Sequence, residues 1–480
     1  MRFLEIILLL LCFTFITYLS IRKGKTYKKI ELGIILLVPI LHLTFEGFRW
    51  QMIPIYILLC IISFWIYKEY LIFKGNWIKK SLTILGITTL MVLGYVLPTI
   101  LPIFELPKPT GKYSIGSQYI HLKTDREETI TKNPTDKREL MIKVWYPANI
   151  KNEKKEPYLN DGDRVSFASK YGLPKSTFDY LNHIKTNTFL APKIANGKFP
   201  VLIFSHGSYS KASGYYAILE EIASHGYIIL NINHTYESTG TLFPDGSIKL
   251  YNQEYDNKHI STQKMAELAW KSQQDYNNAK NEKERFDVSQ NILKNYIAAD
   301  ISKRWSKDII SVIDELQNLN QKTFLTNHLD ISKIGVVGHS QGGAAIGQAI
   351  LDDDRISAGI NLDGVQWGNM IDKKLSKPFL LISSDWKPSH PNFNKYAYKN
   401  GSTSVFYDAK IRNSGHASFM DIPLMINIPV LNEGGTINKK EATKIINKNI
   451  ISFFDIYLKS KKNDLLKLKE EFSSLEISRE

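Results

Sequence analysis

Lys333-Ile334-Gly335-Val336-Val337-Gly338-His339-Ser340-Gln341-Gly342-Gly343-Ala344-Ala345-Ile346-Gly347 is an apolar run, a serine set between two glycines, and a small-residue segment. The run predicts a strand over 333–338. Its apolar residues are continuous rather than alternating, as in a parallel strand covered on both faces. Gly342 to Gly347 predicts the start of a helix. The pattern Gly338-His339-Ser340-Gln341-Gly342 therefore falls on a strand-to-helix turn, where a strained backbone can present a serine. Glycines flank it because strand and helix approach too closely there for side chains. Ser340 is the expected nucleophile.

A serine hydroxyl is a poor nucleophile near neutral pH and needs an imidazole base, which needs a carboxylate to fix its tautomer. Downstream of Ser340 the histidines are His390 and His416. His416 stands in Asn413-Ser414-Gly415-His416-Ala417-Ser418-Phe419, a small-residue loop after the last expected strand, and is the expected base. His390 comes too early, in Pro388-Ser389-His390-Pro391. Two acids remain open. Asp363 ends Ile360-Asn361-Leu362-Asp363, and Asp385 ends the next strand; pattern alone selects Asp385. The oxyanion hole needs two backbone N–H donors. Gln341 supplies one, and Ser208 in Phe204-Ser205-His206-Gly207-Ser208 the other, with Gly207 allowing the sharp turn and His206 bracing the loop.

Strands are expected at 115–122, 139–146, 200–205, 226–232, 333–338, 357–362, 378–383 and 403–407. They make an α/β domain with a mainly parallel eight-stranded sheet flanked by helices over 112–460. Two insertions interrupt it. Residues 150–198 carry Tyr158, Phe167, Tyr171, Phe178 and Tyr180, read as packing of the insertion itself, and 236–325 include an amphipathic stretch, 301–320. The charged tail 461–480 reads as a solvated helix.

Together, the Phe204-Ser205-His206-Gly207 loop, Ala223-Ser224-His225-Gly226-Tyr227, the Ser340 elbow and Leu362-Asp363 resemble the platelet-activating factor acetylhydrolase family. These are calcium-independent phospholipases of the α/β-hydrolase superfamily that remove short or oxidised acyl chains from glycerophospholipids. The resemblance runs from about residue 110 to 460. In that family the acid follows the strand after the nucleophile helix, which implies Asp363 rather than Asp385. It also implies a lipid or other ester substrate, with no cofactor and no metal. Gln341 departs from the bulky residue common after the family's serine, and the secreted members have no counterpart to the N-terminal segments. The same triad serves peptide or amide cleavage and acyl transfer, and a membrane sensor with a non-catalytic hydrolase domain is the rival class.

Residues 1–104 hold apolar runs at about 3–21, 32–48, 52–67 and 82–104, expected to form an all-α membrane domain of four transmembrane helices. Arg22, Lys23, Lys25, Lys28 and Lys29 crowd the first connection and Lys68, Lys74, Lys79 and Lys80 the third; the second carries only Arg49. By the positive-inside rule, four crossings put residues 105–480 on the extracytoplasmic side of the cell membrane. Residues 105–111 read as a stiff polar linker. Of the formal charge of +14, half falls in 1–104, beside apolar segments, so no dense basic stripe supports nucleic-acid binding. Cys12 and Cys60, the only cysteines, both lie in the apolar runs, which excludes a disulfide framework from the rest of the chain.

Overall fold

The computed structural model describes residues 1–22, 27–69, 76–387, 390–398 and 404–480. Lys23, Lys25, Lys74, Pro388, Ser389 and the first residue of the strand expected at 403–407 lie outside the described residues. The chain divides into two compact units. One comprises Met1–Glu105, Pro174–Lys185 and Leu424–Leu431, and the other Leu106–Leu173, Thr186–Pro423 and Asn432–Glu480.

The first unit contains α1 (Phe3–Ile21), α2 (Lys28–Phe45), α3 (Ile53–Tyr67, preceded by a 3-10 turn) and α4 (Trp77–Ile100). They are apolar all round: Leu8, Cys12, Ile55 and Ile62 fill the interior while Leu10, Leu36 and Leu82 face outward. Among the described residues, three segments are long and apolar enough to cross a membrane, Phe3–Ile21, Trp50–Tyr67 and Trp77–Ile100. The count differs from the expected four because α2 includes Lys28, Lys29 and Glu31 in its first turn.

A polar cluster holds the helix ends of this unit. Arg49 donates from Nε and Nη2 to the two Glu5 oxygens at 2.7 and 2.6 Å. Leu4 N–H donates to Glu46 Oε1, and Arg2 to the carbonyls of Glu46 and Gly47. Glu5, His42 and Glu46 come close enough to share a cation. Guanidinium groups already occupy the Glu5 carboxylate, so the positive charge there is supplied by the chain.

The second unit is built on β1 (Ser114–Glu127), β2 (Lys137–Asn149), β3 (Phe199–Ser205), β4 (Ile228–Asn233), β5 (Leu329–His339), β6 (Ile356–Leu362), β7 (Phe379–Ser383), β8 (Phe406–Ile411) and β9 (Leu475–Arg479). Their order is β9-β8-β7-β6-β5-β3-β4-β2-β1. β4, β3, β5, β6, β7 and β8 are mutually parallel, while β1, β2 and β9 pair antiparallel. Each expected strand has a counterpart, the last displaced from 403–407 to Phe406–Ile411. Lys155–Pro157, Lys185–Leu190 and Lys193–Ile194, from the first insertion, join β9 in extending the sheet to twelve.

β9 corrects the solvated helix expected over 461–480. Leu475 and Ile477 are buried while Glu476 and Ser478 point away, a period of two that the tail's overall charge obscured. The segment read as a stiff linker makes contacts of its own. Leu106 is buried, and Glu221 accepts from Thr110 N–H at 2.7 Å.

Helices α5 (Tyr216–Ser224) and α8 (Lys439–Lys459) pack together, as do α6 (Ile297–Lys322) and α7 (Gln341–Asp352). Val201 and Ile203 of β3 join a core with Trp305, Ile309, Val312 and Ile346 of α6 and α7, while Leu202 and Phe204 are equally buried on the other face. This two-sided cover explains the unbroken apolar runs of the central strands. In the first insertion Tyr158 and Tyr180 are buried, as packing residues, and Tyr171 is exposed.

The long insertion is tied to the sheet by buried charge. Arg138 of β2 donates to both oxygens of Asp308 on α6, at 3.1 and 2.6 Å, and to Glu128 and Glu237. Asp308 is fully buried and also accepts from Arg126 and His234. Removing one partner of such an array strands the others without compensation. Asp308→Ala is expected to cost about 3–5 kcal/mol of stability, read as a drop in the denaturant midpoint; a midpoint unchanged from wild type would refute the role given to this network.

Candidate active site

β5 ends at His339, and Ser340 takes φ +56°, ψ −120° before α7 begins at Gln341. A positive φ on a serine is a strained conformation, and the neighbours explain how it is held. Ser340 N–H donates to Leu362 O on β6 at 2.9 Å. A Cβ added at Gly342 would lie 2.2 Å from the Ser205 carbonyl oxygen, and one at Gly338 would lie 2.3 Å from the Gly342 oxygen. Both motif glycines are therefore places where backbone meets backbone.

His416 stands on a 3-10 turn, His416–Phe419, after β8. Its Nε2 is 3.0 Å from Ser340 Oγ and its Nδ1 is 2.7 Å from Asp363 Oδ2. Asp363, just past β6, has φ +54° and is almost fully buried. Its carboxylate also accepts from Ser384 N–H, Ser384 Oγ–H and Trp386 Nε1–H at 2.7, 2.8 and 2.6 Å, so the acid is aimed by three donors besides the imidazole. Asp385 lies elsewhere. It accepts from Asn413 N–H at 2.8 Å and so holds the loop leading to His416 without touching the ring. His390 is exposed and packs beside Trp386. The structure thus brings together Ser340, His416 and Asp363, and leaves Asp385 and His390 outside the group.

The loop after β3 lies against Ser340: a Cβ at Gly207 would be 3.2 Å from Ser340 Cβ. Ser208 follows it on the exposed side. Gln341 N–H is the first of α7, a position without an acceptor in its own helix. The Gln341 side chain turns away and donates to Ala298 O and Ser302 Oγ on α6. His206 is fully buried; its Nε2 accepts from His234 N–H at 3.2 Å and its Nδ1 lies 2.7 Å from Gly207 O, a bracing arrangement.

Several neighbours were not read from the sequence. Ser384 and Trp386 had a usable signal, since they flank an acid already under consideration. Tyr215, within hydrogen-bonding reach of Gly207 and His339, had none.

A family described as "Platelet-activating factor acetylhydrolase, isoform II" matches residues 101–474. The chain belongs to this family. Among the family's curated relatives, platelet-activating factor acetylhydrolase of Cavia porcellus is 25% identical over 380 residues, covering 75% of this chain and 79% of its own. A probable 1-alkyl-2-acetylglycerophosphocholine esterase of Arthroderma benhamiae is 23% identical over 296 residues, covering 58% of this chain and 64% of its own. Among solved structures, a ferulic acid esterase from Streptomyces cinnamoneus superposes with a TM-score of 0.61 at 24% identity, over 76% of this chain and 96% of that one, which establishes the α/β-hydrolase fold. As a member of the acetylhydrolase family the chain is a carboxylic ester hydrolase.

Burial pushes the His416 imidazole down, but the hydrogen bond and charge of Asp363 outweigh it and leave its pKa raised above the usual 6.5. A general base works only when neutral, so the acid limb of kcat/KM is expected above pH 6.5. Asp363→Asn should lower both the rate and the pH of that limb, whereas Asp385→Asn should leave the limb in place; the reverse pattern in side-by-side pH–rate profiles would reassign the acid.

Proposed function

We propose that the chain is a membrane-anchored serine esterase that hydrolyses acyl esters of phospholipids or other membrane-derived lipids through Ser340, His416 and Asp363. The observation that carries this reading is the hydrogen-bonded series from Asp363 through His416 to a serine on a strained elbow, in a chain of the acetylhydrolase family. Ser340 Oγ attacks the ester carbonyl while His416 Nε2 takes its proton. Asp363 keeps the Nδ1–H tautomer and stabilises the imidazolium. The backbone N–H groups of Ser208 and Gln341 stabilise the oxyanion. His416 then protonates the departing alkoxide, and in the second half-reaction it activates water against the acyl-enzyme, which releases the carboxylic acid and regenerates Ser340.

Anchoring rests on the apolar helices of the first unit. α2, with 18 residues, spans about 27 Å, close to the thickness of a hydrocarbon core. Its lysines lie at one end, where they can reach the headgroups. With α2 counted as a crossing, the loop charges put the hydrolase unit on the extracytoplasmic side. A phosphatase fused after Glu480 should then be active in intact cells; activity of a cytoplasmic reporter at the same point would reverse the topology.

Ser340→Ala should abolish ester turnover and fluorophosphonate labelling while leaving the fold intact. Undiminished turnover in that variant would sink the assignment. Failure of the wild-type chain to label would favour a binding module in place of an enzyme. Parallel panels of lipid esters, amides and acyl acceptors on detergent-solubilised protein separate hydrolysis of esters from the other reactions such a triad performs.

A further inference from the structure

Three loops have to be held in one register for the proposed reaction: the one after β3 that carries Gly207 and Ser208, the elbow at Ser340, and the turn at His416. A single chain of hydrogen bonds runs through all of them. Gly207 N–H donates to Tyr215 Oη at 2.9 Å, Tyr215 Oη is 3.1 Å from His339 Nδ1, and His339 Nε2 is 3.2 Å from the His416 carbonyl oxygen. Tyr215 and His339 are both buried.

The donor roles are fixed by the two ends. A backbone N–H only donates and a backbone carbonyl only accepts. His339 must therefore carry its proton on Nε2 to serve His416 O. A neutral ring with its proton there has an acceptor at Nδ1, and that position takes the Tyr215 hydroxyl proton. Gly207 then donates into the hydroxyl's lone pair. The series has one direction, from Gly207 through Tyr215 and His339 to His416, with each member satisfied by the next.

Neutrality of His339 also suits the chemistry. Its ring centroid is 4.6 Å from that of His416, which becomes an imidazolium when Ser340 attacks. Burial, followed by the neighbouring His416, holds the His339 pKa well below that of an ordinary histidine, so a second positive charge does not compete with the first. The ring is also boxed between His416 and Phe419, while Tyr215 packs on Phe204 with centroids 4.8 Å apart.

We propose that Tyr215 and His339 are positioning residues that lock the oxyanion loop to the backbone of the catalytic histidine, so that donor and base move as one piece about Ser340. The inference rests on the triad reading above. It assigns to the histidine inside the Gly-x-Ser-x-Gly motif, and to a tyrosine with no motif of its own, a role in kcat and not in substrate binding.

Tyr215→Phe tests it with one atom removed and the ring packing kept. Sites are counted by fluorophosphonate titration so that misfolded protein does not enter the rate. Per titrated site, kcat on a short-chain ester is expected to fall roughly tenfold or more, with KM within about twofold and the acid limb of the pH profile unmoved, because Asp363 still faces His416. His339→Gln is the second variant, for use alone and in combination. It keeps a donor toward His416 O but cannot also present the Nδ1 acceptor, so the double variant should be no slower than the slower single one. A kcat within twofold of wild type in Tyr215→Phe, with only a lower melting temperature, or losses that multiply in the double variant, would overturn the proposal. A wild-type chain inert toward both esters and fluorophosphonate would instead refute the triad reading itself.

Discussion

The site depends on a contact between two pieces of backbone. The Ser205 and His206 carbonyl oxygens lie where a side chain at residue 342 would begin, and the Gly342 carbonyl lies where one at 338 would begin. Any L side chain at either place would push α7 away from β3 or from β5. The strained φ of Ser340 and the closeness of Gly207 to it both follow from that approach. Everything else in the site is arranged around a turn that only glycine permits.

Much of this was legible because the constraint is local. A strand, five residues and a helix give both the turn and its chemistry, so Ser340 and the eight main strands could be read from runs of Val, Ile and Gly. His416 could be read from chain order. The acid could not be settled by pattern, since Asp363 and Asp385 each end a strand; the difference lies in where the side chains point, and that is set by Ser384, Trp386 and Asn413. The C-terminal tail was misread because its charge was averaged over twenty residues while its burial alternates over five. The second apolar run, at about 32–48, does not stand out as a span because the helix it forms begins earlier, at Lys28, and takes in Lys28, Lys29 and Glu31.

A buried copy of the same geometry shows how little distances alone say about reactivity. Ser205 Oγ is 2.8 Å from His234 Nε2, and His234 Nδ1 is 2.8 Å from Asp308 Oδ2. These three residues are fully buried, His234 is stacked on Trp305 at 3.9 Å, and Asp308 is already neutralised by Arg138 and Arg126. No carbonyl can reach Ser205, and burial outweighs the hydrogen bond and charge of Asp308, so the His234 pKa lies below that of an ordinary histidine. The arrangement instead fixes the end of β3, one residue before the loop that carries His206 and Gly207. What sets the triad of Ser340 apart is the access and strain of its serine.

The pairing of β3 with β5 has a further consequence. Ile203 lies beside Val336, with β4 and the whole 236–325 insertion between them in the chain. That ladder has a high contact order, and closing it must wait until the intervening helices have been made or gathered in. Because Ser340 follows β5 and the loop facing it follows β3, the candidate site comes into existence only when this distant pairing zips up. On the mechanism proposed above, partly folded chains should be catalytically silent whatever sheet or helix they already contain, and recovery of turnover during refolding should mark closure of the longest loop in the sheet.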